Sequence, residues 1–225
     1  MNACASPQLI VFSGIDGAGK STQITSLTRA LAASGHKPVY LWTRGGYTGP
    51  FNTLKTIVRK ILGKKVLPSG RTVARTKAFR MGWVRTVWLT LAILDLALVY
   101  GIYLRWLCLT GRTVIADRYL SDTWIDFTLN FPGADFDDWP LWKLLELVTP
   151  QPDHAFLLLI PVEESLRRSK QKDEPFPDSE EVLKQRLAHY TRFSCTGDWH
   201  MINCTRLLDD IAAEIASTVT GRSQS

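Results

Sequence analysis

Short apolar runs alternate along this chain with longer stretches whose apolar positions recur at helical spacing. Leu9–Phe12 predicts a first strand, Gln23–Ala33 a helix stopped by Gly35, and Pro38–Trp42 a second strand. Asn52–Leu62 has helical spacing, and Gly63 to Gly70 is a basic, turn-rich connection. A long helical region follows, with a break expected near Gly82 or Gly101, and ends at Gly111. Thr113–Ala116 predicts a third strand running into Asp117. Ser121–Asn130 and Leu141–Leu147 follow as helices around the turn Phe131-Pro132-Gly133. Ala155–Ile160 is a fourth strand, Glu163–Gln171 a short helix, and 172–178, with two prolines, a loop. Glu180–Phe193, His200–Ile202 and Leu207–Thr218 complete the pattern as helix, strand and helix.

Such β–α alternation predicts an α/β fold, a mainly parallel sheet with helices on both faces, in one domain spanning residues 1–225. Ligands of these sheets lie beyond the carboxyl ends of the strands. The segments after Phe12, Trp42 and Ala116 are therefore expected to share one cleft. The most apolar stretch, Met81 to Leu109, is interrupted by Arg85, Asp95 and Arg105, so it reads as a buried helix and not as a membrane span. Peripheral contact of that helix with a lipid surface is the alternative.

Composition narrows the picture modestly. A net charge of +6 suits a polyanionic small-molecule ligand, and the scattered Lys and Arg, without a recognition motif, argue against nucleic acid. Cys4, Cys108, Cys195 and Cys204 lack metal-ligand spacing and read as reduced thiols of a cytoplasmic protein. The four histidines show no metal spacing, and Trp88, Trp106, Trp124 and Trp142 are expected in the core or an interface.

The chemistry is concentrated in Gly14-Ile-Asp-Gly-Ala-Gly-Lys-Ser-Thr22, which has the spacing G-x-x-x-x-G-K-[ST] between a strand and a helix. Its glycines let backbone N–H groups turn inward onto phosphate oxygens, and the helix N-terminus adds partial positive charge. Lys20 can neutralise β- and γ-phosphates, and the Ser21 hydroxyl can ligate Mg²⁺. This pattern predicts a nucleoside triphosphate ligand. A second motif, Ile115-Ala-Asp-Arg-Tyr119, ends a strand with a carboxylate suited to Mg²⁺ and its waters and an arginine suited to phosphate.

Phe12 to Gln23 closely resembles the opening of the thymidylate kinase family, and Thr43-Arg44-Gly-Gly and Val114–Tyr119 resemble its next two landmarks. Leu159–Glu163 is similar to the strand end before that family's lid, and Trp199–Ile202 to its last strand. The landmarks keep family order over roughly residues 8 to 218. The resemblance implies a P-loop kinase with a five-stranded parallel sheet and a small lid at about 167–178. ATP and Mg²⁺ would be the cofactors, and dTMP the phosphate acceptor. It implies ATP binding by Gly14, Gly17, Ala18, Gly19, Lys20, Ser21 and Thr22, with Ser21 and Asp117 at the metal. Asp16, Arg44, Arg118 and Tyr119 would bind the acceptor. Lys20, Asp117, Arg118 and a lid cation, Arg168 in the run Arg167 to Lys172, would carry the transfer. It also implies a homodimer packed through helices.

Departures fall on the acceptor side. The Glu-Pro expected after Arg44 is missing, and a helix position that carries Arg in the family is Leu96 here. Asp122-Thr123 and Asp126-Phe127 replace the family's Ser-Ser and Tyr-Gln. Two further readings therefore stay open: a related phosphotransferase with another acceptor (a nucleoside, sugar or lipid-linked group), and a non-catalytic nucleotide-binding protein.

Overall fold

A computed structural model describes residues 8–45, 79, 81–172, 178–195, 197 and 199–221. The helix expected at 52–62, the basic connection after it and residues 173–177 of the expected lid lie outside the described residues. The chain divides into two compact units. One comprises Met1–Trp42, Trp106–Ile125 and Gln151–Ser225, the other Thr43–Arg105 and Asp126–Pro150.

The first unit is built on a five-stranded parallel sheet of order β2-β3-β1-β4-β5. Its strands are β1 (Leu9–Gly14), β2 (Val39–Trp42), β3 (Val114–Asp117), β4 (His154–Leu159) and β5 (Trp199–Asn203). Every residue of β1 and β3 is buried, as expected of central strands covered on both faces. The edge strand β2 alternates half-buried with exposed positions instead. The register sets Phe12 beside Asp117 and Gly14 beside Leu158. Connections run through α1 (Lys20–Ala33), α3 (Arg105–Leu109), the first half of α4 (Leu120–Asn130), α6 (Val162–Gln171), α7 (Glu180–Ser194) and α8 (Leu208–Thr220), of which α1 packs on α8 and α6 on α7. Helix α7 starts where the sequence expects it, because the Ser179 side chain accepts from the Val182 N–H.

The second unit holds α2 (Gly82–Leu98), a π-helical segment at Val99–Leu104 and α5 (Pro140–Val148). Gly82 opens the helix, and Gly101 marks the expected irregularity as a π-helical segment and not as a break. A Cβ at Gly101 would come 3.0 Å from Val148 Cγ2, so glycine is what lets the end of α5 approach. The core is aromatic, with Trp88, Phe131, Phe136 and Trp142 meeting at centroid distances such as 4.9 Å for Phe136–Trp142 and 5.1 Å for Trp88–Phe131. Trp88 and Trp142 are buried as expected. Trp106 is 57% exposed on α3, so of the two places expected for it, core or interface, the core is excluded.

Among the described residues, the helical stretch Gly82–Leu109 is long and apolar enough to cross a membrane, with mean hydropathy 2.0. Half of that window is buried inside the protein: Asp95 in its middle is 4% exposed, whereas Leu98, Ile102 and Trp106 stand at the surface, so the stretch is buried on one side and apolar and exposed on the other.

Candidate active site

The loop between β1 and α1 is shaped by what surrounds it. Gly14 has φ +140°, and a Cβ there would sit 2.4 Å from the Leu158 carbonyl oxygen of β4, so no other residue fits. Gly17, at φ +79°, is pressed against α6, where Ser165 Oγ donates to the Asp16 carbonyl at 2.6 Å. Arg168 Nη1 donates to the Gly17 carbonyl at 3.2 Å and Nη2 to the Cys204 carbonyl at 3.1 Å. Ala18 closes the turn by donating its N–H to Ile15 O at 3.3 Å. The loop is thus held by its own glycines and by one face of α6.

A cleft of about 220 Å³ opens at this loop, lined by Asp16, Gly17, Gly19, Lys20, Ser21, Thr22, Asp117 and Arg118, together with Trp42 and Lys172. The Lys20 ammonium donates to the carbonyls of Gly14 and Ile15 at 2.7 and 3.0 Å. Burial, then the neighbouring Arg118 charge, pulls its pKa from 10.5 to about 8, against the opposing pull of Asp16, Asp122 and Asp117. Asp117 Oδ2 accepts from the Tyr40 hydroxyl at 3.0 Å, while Oδ1 is buried with no hydrogen-bond partner. Burial and the Asp117 charge push the Tyr40 hydroxyl up to about 12. Arg118 takes a left-handed backbone, φ 73°, its N–H donating to Phe12 O at 2.9 Å and its guanidinium to Asp16 Oδ1 at 2.5 Å. A non-glycine residue in that conformation is strained, and such strain concentrates at working sites.

The sequence-predicted residues therefore fall into groups. Asp16, Gly17, Gly19, Lys20, Ser21, Thr22, Asp117 and Arg118 share the cleft. Gly14 and Ala18 shape the loop behind it, and the Tyr119 ring is buried at 6% exposure. Arg168 lies on α6 with its guanidinium on Gly17, Cys204 and Glu164, whereas Lys172, from the same basic run, lines the cleft. Arg44 belongs to the second unit, where its Nε donates to Asp126 Oδ2 at 2.8 Å; Thr43 beside it is hydrogen-bonded to Tyr100 of the π-helical segment at 2.8 Å.

Four residues were not assigned from sequence: Tyr40, Trp42, Asp122 and Tyr190. Tyr40 and Trp42 alternate on an edge strand and carried no motif. Asp122 did carry one signal. It stands three residues after Tyr119, and an acidic residue there can reach back to the N-terminal N–H of a helix. Tyr190 carried none, since only the fold brings it to Asp122.

An α/β fold that presents such a loop at the carboxyl end of its central strand, with a carboxylate and a guanidinium delivered by the strand beside it, is that of the P-loop kinases. No protein-family profile matches the chain. Curated relatives do. The thymidylate kinase of Prochlorococcus marinus (strain NATL2A) is 29% identical over 218 residues, covering 94% of this chain and 95% of that protein. The thymidylate kinase of Pelodictyon phaeoclathratiforme is 30% identical over 166 residues, covering 73% of this chain and 66% of that protein. The probable thymidylate kinase of Methanocaldococcus jannaschii is 30% identical over 165 residues, covering 73% and 70%. The chain belongs to the thymidylate kinase family. It is a nucleotide kinase, which sets aside the non-catalytic reading.

Proposed function

We propose that this enzyme transfers the γ-phosphoryl group of ATP to dTMP, giving dTDP and ADP. The observation that carries the reading is the convergence of Lys20, Ser21, Asp117 and Arg118 on one cleft at the phosphate loop. The names of the relatives support dTMP as acceptor.

In this reading the backbone amides of the loop from Gly14 to Gly19 and the N-terminus of α1 hold the triphosphate, and Lys20 neutralises its β- and γ-oxygens. Ser21 and Asp117 would hold Mg²⁺. The unpartnered Asp117 Oδ1 fits that role. Among the described residues no cluster of three His, Cys, Asp or Glu side chains could hold a metal, as suits an ion that takes most of its ligands from phosphate and water. When bound, the ion neutralises charge on the phosphate oxygens. Arg118 grips the acceptor phosphate, Asp16 faces the acceptor sugar and Tyr119 flanks it, and the family resemblance implies Arg44 as a further phosphate ligand. An acceptor phosphate oxygen attacks the γ-phosphorus in line and ADP leaves, so positioning and charge suffice and no enzyme nucleophile is required. Arg168 and Lys172 are the candidates for the lid-side cation. We assign the enzyme to the cytoplasm and, through the exposed Leu94, Leu98 and Ile102, to a helix-packed homodimer, which light scattering would show as twice the chain mass.

One observation favours a different acceptor: Arg44 is ion-paired to Asp126, at a position where the family pattern has tyrosine. A coupled assay of ADP release separates the two readings. With Mg-ATP, dTMP is expected to raise turnover at least about tenfold above ATPase background. A null response to dTMP with a response to another nucleotide, nucleoside or sugar would establish the other acceptor.

A further inference from the structure

Asp122 lies in the first turn of α4 and is 2% exposed. Its Oδ2 accepts from Ser13 Oγ at 2.5 Å and from the Tyr119 N–H at 2.9 Å. Its Oδ1 accepts from the Tyr190 hydroxyl at 2.6 Å and stands 3.9 Å from Arg118 Nη1. Three separate segments meet on this carboxylate: the end of β1 just before the phosphate loop, the turn after β3, and α7. The Tyr119 N–H belongs to the peptide that leaves Arg118, so Asp122 holds the strained backbone of Arg118 and places a second negative charge near a guanidinium that is hydrogen-bonded to Asp16. Arg186, one turn before Tyr190 on the same face of α7, binds Asp178 at 2.8 Å, and Asp178 directly precedes the cap of that helix.

The family pattern has serine at position 122. A hydroxyl has two acceptor lone pairs and cannot receive Ser13, the Tyr119 N–H and Tyr190 together. A carboxylate can, and the tyrosine that uses it is present.

We propose that Asp122 is the positioning residue for Arg118, and that Tyr190 locks α7 to the same carboxylate. The proposal rests on the assignment of Arg118 to the acceptor phosphate. The test compares Asp122→Asn, Tyr190→Phe and Arg118→Ala in the full chain, with steady-state kinetics on Mg-ATP and dTMP, ATP binding by calorimetry, and proton exchange at the Arg118 guanidinium by NMR. Asp122→Asn is expected to raise the KM for dTMP at least about tenfold and lower kcat about 10- to 100-fold, with the Kd for ATP within about threefold of the original. Arg118 exchange should speed up about threefold or more, since the backbone that carries the group is loosened and a nearby charge is gone, while its hydrogen bond to Asp16 remains. Tyr190→Phe should shift the same quantities about three- to tenfold, and the double variant should be no worse than Asp122→Asn alone. A role in stability alone would lower the unfolding midpoint and leave KM and Arg118 exchange per folded molecule unchanged; that result overturns the proposal. Should Asp122→Asn not fold, Tyr190→Phe, which removes one hydroxyl, carries the same readouts. An Arg118→Ala enzyme as active as the original would instead refute the assignment of Arg118, while Arg118 exchange in the other two variants still decides what Asp122 does.

Discussion

Lys20 is the side chain whose protonation the cleft disturbs most usefully. Its pKa of about 8 means that burial and Arg118 have removed part of the advantage of carrying charge, which a triphosphate would restore. ATP binding should therefore take up a proton once the pH passes about 8. Affinity measured in chelator is expected to be flat below that value and to weaken roughly tenfold between pH 7 and pH 9. Calorimetry in two buffers of different ionisation heat checks this, and an affinity independent of pH would place the Lys20 charge elsewhere. The lid-side cation is also decided residue by residue. Lys172 lines the cleft while Arg168 spends its guanidinium on backbone carbonyls and Glu164. Lys172→Ala is expected to lower kcat about tenfold with the unfolding midpoint unchanged, and Arg168→Ala to lower both. The opposite pattern would return the cation role to Arg168. Neither assignment was legible in the run Arg167 to Lys172, where charge alone does not say which side chain a helix turns toward the loop.

Among the elements, the strand β1 and its loop leave the least freedom. Alanine at Gly14 would drive a methyl into the Leu158 carbonyl and force a backbone that L residues rarely adopt. Gly14→Ala is expected to destabilise the protein by about 3 kcal/mol or more in urea denaturation. A change below about 1 kcal/mol would mean that β1 and β4 can separate. The glycine spacing made this loop readable because phosphate binding and the tight turn demand the same residue type. The central strands were readable for a similar reason: burial on both faces leaves unbroken apolar runs in β1 and β3. The π-helical segment was visible only as Gly101, since its cause, Val148 of α5, lies far along the chain. Tyr190 meeting Asp122, and Arg44 meeting Asp126, are likewise products of tertiary structure and have no local signature.

At the scale of the whole molecule, the order β2-β3-β1-β4-β5 explains why one motif was enough to locate a site. It places β1 in the centre and β3 beside it, so the loop after Gly14 and the Asp117-Arg118 pair emerge together. What the order does not dictate is the acceptor: Asp126, where the family pattern has tyrosine, pairs with Arg44 inside the other compact unit. The most direct measurement follows the phosphoryl group itself. With ATP labelled in its γ-phosphate, Mg²⁺ and dTMP, the enzyme should move label into dTDP at a rate that Lys20→Met lowers by at least about a thousandfold. Label that stays in ATP or appears only as free phosphate, or a Lys20→Met variant that transfers it undiminished, would contradict the account.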